Sequence, residues 1–389
     1  MQILAIDIGT GTQDIFLYDS RLDLENGFKL VAPSPTMRVH SQIKACTRRG
    51  EPLLLTGAIM GGGPSQWAAE AHHAAGLPVY ITPQAALSFN DDLNKIKEMG
   101  FKLVSEDEAQ ALKPRCAHVE LKDLDFGAIL RAFDAVGISL SNLDAVAAAV
   151  FDHGNAPPDV SDRQFRFDYL DERIRAGRQS LQPLTGFAFL SAQVPASMTR
   201  LQSLVQSAAS DQAYPAGLPL VVMDTAPAAV LGALFDPQIH GRPELLVANV
   251  GNFHTLAFRL GRQGIEGVFE HHTGLLDVPK LERLIDGLAD GSLRHEQVFD
   301  DHGHGALVYN HNPLDSREGG FGLAVTGPRR SMLKDSRLRP YFAAPFGDMM
   351  IAGCFGLLAA AAEVLPELGE TIRHSLQGAG GAGTPPWEI

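Results

Sequence analysis

The sequence predicts an α/β protein. Short apolar runs rich in β-branched residues end at glycine or polar breaks, and stretches with helical spacing follow most of them. Size is a further observation. A chain of 389 residues allows two or three domains, or one bilobed unit. It can bury a core without disulfides or a structural metal.

Taken in order, Ile3–Asp7 is the first apolar run. It breaks at Gly9-Thr10-Gly11-Thr12, so it reads as a buried strand with Asp14–Tyr18 as its hairpin partner. Pro52–Met60 is the next strand, stopped by Gly61-Gly62-Gly63-Pro64. A helix over Ser65–Ala75 and a strand over Pro78–Thr82 complete a strand–helix–strand unit. Lys122–Gly137 reads as a helix, and Leu143–Phe151 as a buried strand ending at Asp152-His153-Gly154. The polar stretch Asn155–Gln193 shows no usable period. After it come a helix at Ser197–Ala209, a strand at Leu218–Met223 and a small-residue helix at Ala226–Phe235. Glu244–Leu260 and Gly264–Glu270 read as two strands around a tight turn at Gly261–Gly264. Val278–Leu288 is an amphipathic helix, Leu323–Thr326 a strand, and Phe346–Leu365 a long helix rich in Ala and Gly. The glycine-rich tail is expected to fray.

Composition excludes several roles. Lys and Arg total 32 against 45 Asp and Glu, a net charge of −13. Such a surface repels phosphate backbones and anionic bilayers, so neither nucleic acid nor a membrane is an expected partner. Cys46, Cys116 and Cys354 lie far apart. That spacing builds no disulfide framework, zinc knuckle or three-cysteine iron–sulfur motif. It suits a reducing cytoplasm. The N-terminus reads as a strand and lacks a basic leader region, so no secretory signal is expected.

The segment Ile6–Asp14 carries chemistry. A buried strand delivers Asp7 to a Gly/Thr turn. Backbone N–H groups of Gly9, Thr10, Gly11 and Thr12 can converge on an anion there, and the carboxylate can hold Mg²⁺ beside it. The competing reading is a hairpin whose glycines serve only the turn.

Further segments weaken that competitor. The chain resembles the actin, Hsp70 and sugar-kinase ATPase superfamily. Asp7–Asp14 resembles its first phosphate hairpin, and Leu246–Thr255 the second. Val222–Ala229 through Gly232 resembles the first connecting helix, and Phe346–Gly353 with its continuation the second. Leu323–Arg330 resembles the adenosine motif. The five segments stand in the superfamily's order. Roughly Val39–Ala117 and Asn155–Gln193 are left unmatched. More narrowly, the chain is similar to a prokaryotic family labelled as pyruvate formate-lyase activating enzymes. The cysteine spacing argues against a literal reading of that label.

The resemblance implies a bilobed actin-like fold built from ribonuclease H-like duplicated domains. Residues 1–235 would form the first lobe, with an insertion near 40–120, completed by the C-terminal helix over 346–377. Residues 236–345 would form the second lobe and 378–389 a flexible tail. ATP and Mg²⁺ are the implied ligands. Gly9, Thr10, Gly11, Thr12, Gly251, Asn252, Thr255, Gly327 and Arg329 would contact nucleotide, with Asp7 and Asp224 as metal ligands and catalytic groups. Ala228, Ala229, Gly232, Ala352, Gly353 and Gly356 would allow close crossing of the two connecting helices. Two departures stand out: Asn249 occupies a position that is usually acidic, and Gly327-Pro328 replaces a glycine pair. Asn can neither neutralise Mg²⁺ nor act as a base.

On the acceptor side, Asp152 ends a strand beside that of Asp7. It is a candidate general base, with His153 a substrate or metal contact; a capped strand end is the other reading. Glu270, His271 and His272 end another strand, and Asp300–Gly305 holds two carboxylates and two imidazoles. These are candidates for a substrate or second-metal site. Gly62 and Gly63 precede a helix whose free N–H groups would attract an anion. The expected function is Mg²⁺-dependent phosphoryl transfer from ATP to a small molecule, or ATP hydrolysis. The alternatives are an ATP-gated activator or chaperone-like protein acting on a client enzyme, and a non-catalytic ligand sensor.

Overall fold

The computed structural model describes residues 1–177, 183–314, 322–379 and 384–388. Strands β1 (Gln2–Ile8) and β2 (Thr12–Asp19) form an antiparallel hairpin that sets Asp7 opposite Asp14, and β3 (Phe28–Pro33) pairs with β2. The chain then leaves this sheet. Helix Pro35–Arg49 starts where Ser34 Oγ accepts from the Met37 N–H, and it stops at Gly50 in the left-handed region. Its buried face, Val39, Ile43 and Cys46, recurs at helical spacing. The insertion builds a separate parallel sheet from β4 (Leu53–Gly57), β5 (Val79–Ile81), β6 (Lys102–Leu103) and β7 (Ala117–Leu121), in the order β6-β5-β4-β7. Leu53, Leu54 and Leu55 are all buried, as expected of a parallel strand covered on both faces. The insertion has its own hydrophobic core.

The chain returns with β8 (Ala145–Val150), β9 (Ala188–Leu190) and β10 (Leu220–Asp224), giving a first-lobe sheet of order β3-β2-β1-β8-β10-β9. The second lobe holds β11 (Leu245–Val250), β12 (His254–Gly261), β13 (Gly264–His272), β14 (Gly305–Val308), β15 (Leu323–Thr326) and β16 (Tyr341–Phe342), ordered β14-β13-β12-β11-β15-β16. The same unit recurs in both sheets. Three strands form an antiparallel meander, and two more add in parallel beside its first strand. This duplication is the bilobed actin-like fold.

Helices Thr225–Ala233 and Ala352–Val364 carry buried residues around their whole circumference, the mark of helices enclosed on all sides. The core joins them to strands of both sheets, among them Ile6, Val222, Val247 and Phe258. They cross closely. A Cβ on Gly232 would meet the Ala352 carbonyl, and one on Gly356 the Ala228 carbonyl.

Several elements differ from expectation. Glu244–Leu260 is two strands, split at Gly251–Phe253; the apolar alternation resumes so soon after the turn that it reads as one run. The long C-terminal helix starts at Ala352, because Phe346 sits at φ 49° and breaks the approach. The helix expected from Lys122 starts at Phe126, capped by Asp125. A helix at Asp162–Ala176 fills the stretch that showed no period. Its buried face includes Arg166, and a charged residue in an apolar stripe hides the pattern. Of the tail expected to be flexible over 378–389, residues 380–383 and 389 lie outside those described, and Pro386–Glu388 forms one helical turn.

Candidate functional site

The β1–β2 and β11–β12 turns face each other across the lobes. A Cβ on Gly11 would lie 2.5 Å from Asn252 Nδ2, so a larger residue there would displace the Asn252 side chain. The crevice between the turns measures about 110 Å³ and is lined by Asp7, Gly9, Thr10, Thr12, Gly251, Asn252 and Gly327, among others. Asp7 reaches it from the end of β1, and its Oδ1 accepts from Thr225 Oγ1 at 2.5 Å. A Cβ at Gly353 would collide with the Asp7 carboxylate. That glycine therefore makes room for the acid as well as for helix packing.

Asp7 and Asp14 are 8% and 7% exposed. Burial pushes Asp7 up to about 6, with the Asp224 charge adding to the rise and the Thr225 hydroxyl opposing it. Burial, with the charges of Asp7 and Asp348 adding to it and the Thr12 hydroxyl opposing it, pushes Asp14 up to about 8. Neither carboxylate has a cationic side chain in salt-bridge contact among the described residues. Asp14 Oδ1 is buried without a hydrogen-bond partner. Two acids pressed together in this way form a natural seat for a divalent cation.

Asp224 plays a different part from the one expected. Its Oδ1 caps the following helix at the Ala226 N–H, and its Oδ2 pairs with Arg166 at 2.5 Å. Arg166 is wholly buried; it also donates to Glu270 Oε2 at 3.1 Å and to the Asp152 carbonyl, and lies over the Phe151 ring. An acid neutralised by a buried arginine is not free to bind Mg²⁺. Asp152 is likewise held, its two oxygens accepting from the backbone N–H groups of Gly154 and Leu201 at 2.8 Å. These bonds clamp the strand end to the helix Thr199–Ser210, so Asp152 is not an available base.

A second cavity of about 390 Å³ adjoins the first and shares Thr10, Phe151, Arg200, Phe253 and His254 with it. Gly62 and Gly63 line it, as do Asp152, His153 and His272. Arg200 stands at the junction, with a two-point ion pair to Asp123 and a bond to the Phe151 carbonyl. Asp91 sits at the mouth, pushed up to about 6 by desolvation and by Asp162 and Asp152.

At the base of this cavity, imidazoles gather. His153 Nε2 faces His304 Nε2 at 3.0 Å, His304 Nδ1 lies 3.4 Å from Glu270 Oε1, and His254 stacks on Phe151. Burial holds His153 down at about 3 and pushes Glu270 up to about 7.

Three expected residues fall elsewhere. His271 points to the opposite face of β13 from Glu270 and His272, and bonds Asp301; strand alternation requires it. Thr255 is buried and bonds the Thr273 hydroxyl. Arg329 is exposed and does not line the crevice. Conversely, Arg166, Arg200 and Asp91 belong to the region around the site and no local motif marks any of them, whereas His254 and His304 lie within segments the sequence singled out.

Residues 60–332 match the family described as "Putative pyruvate format-lyase activating enzyme (DUF1786)". The chain belongs to this family. The chain's three thiols, Cys46, Cys116 and Cys354, do not converge. Cys354 is buried beneath the first hairpin and bonds the Asp14 carbonyl, while Cys46 and Cys116 line a cavity on the insertion. No curated protein matches the chain. Among solved structures, an exopolyphosphatase-like protein is 10% identical over 95% of this chain and 91% of its own, with a TM-score of 0.25. A ROK hexokinase from Thermus thermophilus is 13% identical over 98% of this chain and 97% of its own, with a TM-score of 0.26. Among the described residues, no helix is long and apolar enough to cross a membrane.

Proposed function

We propose that this family member binds a Mg²⁺–nucleotide between its two hairpin turns and transfers a phosphoryl group to a small molecule in the adjoining cavity, or to water. The observation that carries the reading is the buried Asp7–Asp14 pair, without a cationic partner, between two glycine turns that face each other. Mg²⁺ would sit on that pair rather than on Asp224. The turns' N–H groups would hold the phosphates, and Arg200, at the junction of the two cavities, would steady the group in transit. The 390 Å³ cavity falls within the size range of small-molecule sites. Asp91 takes the place of Asp152 as the candidate proton acceptor.

Calorimetry with Mg²⁺–ATP tests the proposal: saturable heat is expected, and none at millimolar nucleotide would end it. D7N is expected to lower turnover by about 10²–10³, the range for one lost electrostatic contact. D91N is expected to lose turnover with nucleotide affinity nearly unchanged.

A second reading, a ligand sensor without catalysis, has one observation in its favour. Asn249 packs tightly under Gly327 in place of an acid, so the second hairpin adds no carboxylate to the metal. Nucleotide binding with no turnover of any phosphate acceptor would select it.

A further inference from the structure

We infer that His153, His254, His304 and Glu270 form a site for a divalent first-row transition metal, separate from the Mg²⁺ seat. One ligand atom from each can be chosen so that all lie within 4.8 Å of one another. Glu270 is wholly buried and His304 is 1% exposed. Glu270 Oε1, His304 Nδ1 and His254 Nε2 are all buried with no hydrogen-bond partner. Buried polar atoms are rarely left in this state, and three in one cluster call for a common partner.

The spacing suits an ion. Metal–nitrogen bonds of about 2.0 Å in a tetrahedron set ligands about 3.3 Å apart. His153 and His304 nitrogens already stand 3.0 Å apart, and His304 and Glu270 3.4 Å. The donor set selects the class. Imidazoles with one carboxylate suit zinc, iron, nickel or copper, whereas Mg²⁺ and Ca²⁺ prefer oxygen alone. The outer contacts are also in place: Arg166 holds the other Glu270 oxygen, and Phe151 stacks on His254, fixing both ligands before an ion arrives.

The site is reachable. His153, His254 and His304 line the 390 Å³ cavity, so an ion held by all four residues would take a fifth ligand from that space by expanding its coordination. An oxygen-bearing anion is the class of ligand that would complete it. The four residues come from the loop after β8, the start of β12, β13 and the loop before β14, so the sequence marks His153, Glu270 and His304 separately and only the fold joins them with His254.

The test is a Co²⁺ titration of chelator-treated protein. One equivalent is expected to give the intense visible absorption of a four- or five-coordinate ion, displaced by Zn²⁺, while Co²⁺ taken up by the Asp7–Asp14 carboxylates would absorb only weakly. H304A and H254A are each expected to weaken uptake by at least about 100-fold, beyond the 10–100-fold typical of losing an outer-shell contact. D7N is expected to leave the intense absorption unchanged, which separates this site from the Mg²⁺ seat and from the nucleotide reading. The inference is overturned if wild-type protein takes up no Co²⁺, if the bound ion shows only the weak absorption of octahedral Co²⁺, or if D7N abolishes the intense absorption. Should either histidine variant fail to fold, the wild-type titration decides alone.

Discussion

Arg166 is the residue on which both lobes lean. It spans Asp224 in the first lobe and Glu270 in the second, and all three are buried. R166M would strand two carboxylates without their cation. The expected loss is about 3–5 kcal/mol, the cost of breaking a buried pair from one side, read by urea unfolding. A loss below about 1 kcal/mol would mean that water replaces the arginine readily. Asp14 has the opposite character, an acid with no cation. Its folded pKa of about 8 lies well above the unfolded value of about 3.9. Between those values the unfolded chain has released a proton that the folded chain retains. Without metal, stability is therefore expected to fall as pH rises from about 4 to about 8. D14N should flatten that slope and be the more stable protein at pH 8 by at least about 1 kcal/mol. An unchanged thermal-melting profile against pH would count against the shift.

Among the elements, the two enclosed helices set the geometry of the cleft. Thr225–Ala233 brings Thr225 to Asp7, and Ala352–Val364 begins beside the same carboxylate. Their spacing depends on Gly232 and Gly356. G356V would push a branched side chain into the Ala228 carbonyl, costing about 1–3 kcal/mol or more by overpacking. Because the displacement passes to Thr225, Mg²⁺–nucleotide affinity is expected to fall as well. Retained affinity in a destabilised G356V protein would show that the crossing supports the fold but not the site.

For the whole molecule, the hairpins are close together. A crevice of about 110 Å³ is well below the roughly 300 Å³ at which ligand pockets begin. Nucleotide entry therefore requires the lobes to part, with the two crossing helices as the natural pivot. Saturating Mg²⁺–ATP is expected to change the radius of gyration in small-angle scattering. Superimposable curves with and without nucleotide would argue for a rigid protein whose crevice stays shut.

What the sequence by itself determined is the framework. Apolar runs ended by glycine or polar residues specified β1, β2, β4, β8, β10 and β15, and apolar stretches rich in Ala and Gly specified two helices enclosed on all sides. These are local signals, and a backbone needs few distant contacts to obey them. The sequence also marked the turn residues that line the crevice, and tertiary structure alone decided what the other polar groups are free to do. Whether Asp224 meets a metal or an arginine depends on Arg166, 58 residues away in sequence. Whether Asp152 is a free base depends on the Leu201 N–H. The imidazole cluster joins four segments with no common spacing. Burial and partners set what a carboxylate or an imidazole can do, and both are properties of the packed chain rather than of any stretch of it.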